Sequence, residues 1–148
     1  MLDGFKLHRH GIIYPPETHD TVNFGRHMHF YSAFVTWFLK TDIRASAVGI
    51  ERFEYRPGAG KYSEGVNLHV SALRAGWPTA YLVRPREWKT WFQRYVHKEG
   101  AQAFFGTPTP HEADAGGIAL YLGCILLPRV QADFERAREM KSQPLFRA

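Results

Sequence analysis

The strongest structural constraint in this sequence is an aromatic repeat in its second half. Apolar residues recur there at spacings of three and four, which places them along one face of an α-helix. They are Trp88, Trp91, Phe92, Tyr95 and Val96. Pro85 suits the first turn of such a helix and Gly100 suits its end. A chain with this helix must bury a broad aromatic stripe, so it needs a substantial hydrophobic core.

The composition supplies that core. The chain has 148 residues, of which 45% are hydrophobic, and it shows no repeat or low-complexity tract, so we predict a single domain over residues 1–148. Cys124 is the sole cysteine and cannot close an internal disulfide, which favours a cytoplasmic protein. The longest apolar run, 116–127, is too short to span a bilayer, and we expect no membrane association.

Hydrophobic periodicity and turn residues predict the order of the elements. The first half is predicted to contain a strand over 5–13, a helix over 24–39 with a strand as the alternative, and two strands over 46–56 and 66–74 joined as a hairpin. The second half is predicted to contain a short strand over 81–83, the aromatic helix over 85–100, a short strand over 101–105 and a surface helix over 129–141. Residues 116–127 are compatible with either a helix or a strand. This order matches the split βαβ pattern. We therefore predict an α+β, ferredoxin-like antiparallel sheet with helices on one face and an extra C-terminal helix.

The other face of that sheet would be open, and strand alternation directs polar side chains to it. His8 and His10 on the first strand, His69 on the third and Glu51 on the second could converge there. Imidazoles and a carboxylate suit a divalent transition metal, or a harder ion if water completes the shell. The alternative is a solvated strand face without function. His111, in a proline-rich segment, is predicted to lie in a loop.

The charge balance favours an anionic partner. The formal net charge is +5 and the sequence pI is about 9.5. A basic and aromatic face suits single-stranded nucleic acid, because cations hold phosphates and rings stack on bases. The candidate residues are Lys6, Arg9, Lys61 and Arg74 for phosphates, and Phe53 and Tyr55 for bases.

Four short stretches resemble the HUH-type rolling-circle replication initiators, in particular the inovirus-type replication proteins. They are RHGIIYP at 9–15, VGIERFEY at 48–55, NLHVSAL at 67–73 and ALYLGC at 119–124. The resemblance implies a divalent metal, Mn or Mg, held at His69, with Asn67 where the family has its first histidine. It also implies a tyrosine that attacks single-stranded DNA. Tyr121 is then the candidate nucleophile, with Tyr95, in YVHKEG, as the alternative.

Two functional hypotheses follow from these residues. The first is a nucleic-acid-binding protein that resembles a metal-dependent single-stranded DNA nicking domain, with its chemistry either retained or lost. Asn67 and the absence of the lysine expected after Tyr121 favour loss. The second is a non-catalytic interaction protein or inhibitor, encoded by a phage or mobile element, that acts on a nucleic-acid-handling complex.

Overall fold

The structure is a computed structural model, and it divides the chain into two compact units. It describes residues 7, 11–12, 35–36, 46–52, 67, 70–71 and 73–142. The helical unit comprises Met1–His10 and Arg86–Ala148, and the strand unit comprises Gly11–Pro85. Helices and strands are both present, which confirms the α+β class in its general form. The single domain over the whole chain stays a prediction.

The strand unit contains β1 (Gly49–Glu51) and β2 (Tyr81–Val83), which pair in parallel with Ile50 opposite Leu82. Both lie within predicted strands. Helical conformation is found between them, at Asn67, Val70, Ser71 and 73–76. The predicted strand over 66–74 is therefore wrong at its described positions, and so is the hairpin. Parallel neighbours need a long crossover, which commonly contains a helix, whereas a hairpin joins antiparallel strands.

Few residues near the N-terminus are described. Leu7, Gly11 and Ile12 lie outside helix and strand, so the strand predicted over 5–13 does not form at these positions. Val35 and Thr36 are helical, in agreement with the predicted helix over 24–39. The other positions of both predicted elements lie outside the described residues.

The helical unit is built from four described helices. They are α1 (Pro85–Tyr95), α2 (Ala101–Phe105), α3 (Pro110–Leu126) and α4 (Pro128–Ser142). Helix α1 confirms the predicted aromatic helix and its start at Pro85, but it ends at Tyr95 and does not reach Gly100. Glu87 in its first turn and Arg94 in its last are placed favourably for its dipole. Helix α4 confirms the predicted C-terminal helix.

Helix α2 corrects the strand predicted over 101–105. Gly106 adopts a left-handed conformation with φ 64°, and its backbone N–H closes the last turn. The ring centres of Phe104 and Phe105 lie 5.6 and 5.9 Å from that of Phe92 on α1. Packing of two adjacent phenylalanines onto one ring favours a helical turn, because successive strand residues point to opposite faces.

Helix α3 begins with a local cap that decides its conformation. The Thr109 hydroxyl accepts the Glu112 backbone N–H at 3.3 Å and donates to the Glu112 carboxylate at 2.8 Å. Pro110 takes the first helical position. The ambiguous residues 116–127 are thus helical as far as Leu126, and His111 lies in the first turn of α3 rather than in a loop.

A sharp break separates α3 from α4. Leu127 is extended, with φ −116° and ψ 102°, and Pro128 begins the next helix. Within the described ranges, no single helix is long and apolar enough to cross a membrane. Helix α3 and the segment Pro128–Glu139 reach that length and composition only as a pair, and the pair is bent by 108°.

The core of the helical unit centres on two rings of α1. Trp88 is 1% exposed and Phe92 is 0% exposed. Helix α3 approaches Trp88 at Gly117, where an added Cβ would overlap the indole ring. At the preceding Gly116, an added Cβ would lie 3.0 Å from the ring of Phe105. The two glycines therefore let the backbone of α3 lie directly against aromatic side chains.

Gly117→Ala should destabilise the protein. Overpacking against Trp88 is expected to cost about 1–3 kcal/mol, which exceeds the gain of about 0.5–1 kcal/mol in helix propensity. Gly123→Ala on the same helix is the matched control, because its Cβ would contact the Val130 side chain at 3.1 Å or more and would not overlap a ring. Urea denaturation followed by circular dichroism measures both. A Gly117→Ala protein as stable as wild type would contradict this packing.

Candidate functional site

Helices α1 and α4 bring together a group of aromatic and guanidinium side chains, which we call the Tyr95 cluster. Its members are Trp91, Arg94, Tyr95, Phe134 and Arg138. Residues four apart lie on the same face of a helix. Trp91 and Tyr95 share one face of α1 in this way, and Phe134 and Arg138 share one face of α4.

The base of the Tyr95 cluster is packed. Phe134 is 4% exposed, and its ring centre lies 5.6 Å from that of Trp91. The Trp91 ring centre lies in turn 6.2 Å from that of Tyr95. Tyr95 is 37% exposed, so its ring lies at the surface, in contact with the half-buried ring of Trp91.

Two guanidinium groups lie over the Tyr95 ring. The Cζ atom of Arg94 is 5.3 Å from the ring centre, and that of Arg138 is 5.4 Å from it. Arg138 Cζ also lies 5.8 Å from the ring centre of Phe134. Both distances to Tyr95 fall within the range in which a ring quadrupole attracts a cation. The ring therefore contacts two positively charged groups, one from α1 and one from α4.

These two charges are not neutralised by carboxylates in the described part of the chain, where neither side chain makes an ion pair or hydrogen bond. Two other exposed cations of the helical unit are paired. Arg136 contacts Asp133, and Lys89 Nζ lies 2.8 Å from Asp114 Oδ2. A guanidinium offers five N–H donors in a planar fork that matches phosphate or carboxylate oxygens. The Tyr95 cluster is thus equipped to bind an anion.

Tyr121, the predicted nucleophile, lies in a different environment. It is 8% exposed, and its hydroxyl donates to Glu87 Oε1 at 2.9 Å. Burial above all, and then the hydrogen bond and negative charge of Glu87, raise the pKa of Tyr121 to about 12. The phenol is therefore protonated at neutral pH, which opposes its use as a phenolate nucleophile.

Cys124 follows the same pattern as Tyr121. Burial, with a smaller contribution from the charge of Glu135, raises the pKa of the Cys124 thiol to about 11. A thiol of this pKa is a poor nucleophile at neutral pH, because the thiolate is the reactive form.

The predicted metal ligands are not brought together by the described residues. His8, His10 and His69 lie outside them; Glu51 ends β1, half-buried, and Asn67 is helical and exposed. The alternation that directed His69 to an open sheet face required a strand, and its described neighbours are helical. In the described ranges, no three His, Cys, Asp or Glu side chains are placed to hold a metal ion. We derive no reaction step through a metal.

Most of the predicted nucleic-acid contacts lie outside the described residues. These are Lys6, Arg9, Phe53, Tyr55 and Lys61. Arg74 is described, and it is exposed on the helical segment of the strand unit rather than on a strand.

Sequence reasoning missed Arg94 and Arg138. It placed Tyr95 on the apolar stripe of α1 or made it a nucleophile. Two signals were present: Arg94 adjoins Tyr95, and Arg138 follows Phe134 by one helical turn. The meeting of the two arginines depends on how α1 and α4 pack, which no local pattern contains.

Comparison with protein-family models, curated proteins and solved structures found no match to this chain. The resemblance to HUH-type initiators therefore stays a prediction.

Tyr121→Phe should lower the free energy of unfolding by about 1 kcal/mol at neutral pH, because one hydrogen bond is lost. With its raised pKa, Tyr121 binds its proton more tightly in the folded state. The stabilisation of the folded state by the protonated Tyr121 hydroxyl is complete below pH 10 and is lost as the pH rises through about 12. The difference in the free energy of unfolding between wild type and Tyr121→Phe should therefore decrease from pH 10 to pH 12, as measured by urea denaturation.

Tyr95→Phe is the matched control for this experiment, because it removes a hydroxyl from an exposed ring of the same unit. It should change stability little at neutral pH. A gap between wild type and Tyr121→Phe that stays constant from neutral pH to pH 12 would contradict the assigned environment of Tyr121.

Proposed function

We propose that this protein binds single-stranded nucleic acid through the Tyr95 cluster. One observation carries the proposal: the exposed guanidinium groups of Arg94 and Arg138 converge on one exposed ring and have no carboxylate partner among the described residues. Guanidinium groups bind phosphate oxygens in pairs of parallel hydrogen bonds. The net charge of +5 adds long-range attraction for a polyanion.

The narrowness of this positive surface favours a single strand over a duplex. Helix α4 also carries the exposed Glu135, three residues before Arg138, whereas Asp133 is already paired with Arg136. A duplex presents the phosphates of two strands over a wide surface, and some of them would meet the Glu135 carboxylate. A single strand can contact Arg94 and Arg138 without placing its other phosphates near a carboxylate, so it avoids repulsion between negative charges.

The proposal concerns binding and assigns no cleavage to Tyr121. Its hydroxyl donates to Glu87, and its pKa of about 12 keeps it protonated. Strand cleavage and a bound divalent metal remain hypotheses that rest on the family resemblance.

Arg94→Ala and Arg138→Ala should each weaken the binding of a fluorescein-labelled oligodeoxythymidine about tenfold, or ~1.4 kcal/mol. Each should also reduce the slope of log affinity against log salt by about 0.7, as expected for one lost phosphate contact on a single strand. Fluorescence anisotropy at several salt concentrations measures both quantities. A duplex of the same length should bind more weakly.

Arg136→Ala is the matched control, since it removes the same charge from α4 at a side chain already paired with Asp133. It should change affinity by less than about twofold, because a surface ion pair contributes little. Equal losses for Arg136→Ala and Arg138→Ala would show a general charge effect and contradict the assigned site. If the wild type binds no oligonucleotide, the proposal fails, and the protein-interaction hypothesis takes its place.

Incubation with single-stranded DNA and Mn²⁺ should give no covalent adduct in intact mass spectrometry, because the Tyr121 phenol is buried and protonated. Tyr121→Phe is the control. A nucleotide adduct that appears in wild type and vanishes in this variant would establish cleavage through Tyr121 and overturn a role in binding alone.

A further inference from the structure

The Tyr95 cluster also indicates which part of the nucleic acid it contacts. We infer that Tyr95 positions Arg94 and Arg138 for the phosphates of the backbone and does not itself stack on bases. This inference rests on the proposed function and makes it more specific: binding through the cluster reads the backbone and not the sequence.

The surroundings of the Tyr95 ring support this role. A base needs an open aromatic face, and the ring already has the guanidinium groups of Arg94 and Arg138 over it, at 5.3 and 5.4 Å, with Trp91 tilted against it at 47°. A base that stacked on the ring would have to displace a guanidinium from a contact that stabilises it. Stacking therefore competes with the arrangement that the cluster already has.

A phosphate would add to the same arrangement instead of disrupting it. A cation–π contact uses the positive charge of the guanidinium and leaves its N–H donors available for oxygen atoms. Both guanidinium carbons lie within 5.4 Å of one ring centre, so a strand that passes the ring can place phosphates near both positive charges. Because the ring fixes both side chains, less rotamer freedom is lost when a phosphate binds.

Three probes of equal length separate backbone from base contacts. They are an oligodeoxythymidine, a strand of abasic residues, and an oligodeoxythymidine whose linkages are uncharged methylphosphonates. Anisotropy competition against the labelled oligodeoxythymidine measures their affinities. We expect the abasic strand to bind within about twofold of the oligodeoxythymidine and the uncharged strand to bind at least about tenfold more weakly.

Two substitutions test the positioning role of Tyr95. Tyr95→Phe keeps the ring and should bind like wild type. Tyr95→Leu removes the ring that holds both guanidinium groups, and it should lose affinity and salt dependence as Arg94→Ala does. Circular dichroism of each variant checks that the fold is retained. A purely structural role for Tyr95 would not lower the salt slope.

The outcomes separate this inference from the proposed function. If the oligodeoxythymidine binds and the abasic strand is about tenfold weaker or worse, bases are contacted and the inference is overturned, while nucleic-acid binding stands. The inference is likewise overturned if Tyr95→Leu binds the oligodeoxythymidine with wild-type affinity and salt slope. If no strand binds, both the proposed function and the inference fail.

Discussion

The contact between the Trp88 indole and the backbone of α3 at Gly117 positions the rest of the helical unit. It requires a residue without a side chain, because any Cβ at that position would overlap the ring. With Trp88 packed in this position, Trp91 on the next turn of α1 contacts Tyr121 and Phe134. The Trp91 ring centre lies 5.4 Å from that of Tyr121 and 5.6 Å from that of Phe134. The aromatic stripe of α1 is thus buried at Trp88 and Phe92 and half-buried at Trp91.

The stripe continues past the edge of the core, and the Tyr95 cluster begins there. Tyr95 follows Trp91 by one helical turn and reaches the surface, where it is 37% exposed. A half-exposed ring attracts cations, and Arg94 and Arg138 supply them. The same aromatic stripe therefore packs the core at Trp91 and contacts two arginines at the surface one helical turn later, at Tyr95.

Tyr121 and Tyr95 were alternative nucleophiles in the sequence, and the structure places them in different environments. Tyr121 is buried and donates to Glu87, and its pKa of about 12 suits a structural hydrogen bond. Tyr95 lies at the surface in contact with two guanidinium groups. Of the partners that distinguish these environments, only Arg94 flanks its tyrosine, because Glu87 and Arg138 both come from other helices.

Local patterns by themselves determined α1, β2 and α4, because apolar periodicity, a proline at a helix start and a short apolar run act over a few residues. The Thr109 cap also lies within such a range, and it would have assigned α3. Tertiary structure decided the rest. Parallel pairing of β1 with β2, the helical turn of α2 and the meeting of Arg94 with Arg138 all depend on contacts between segments distant in sequence, which alternation and propensity do not encode.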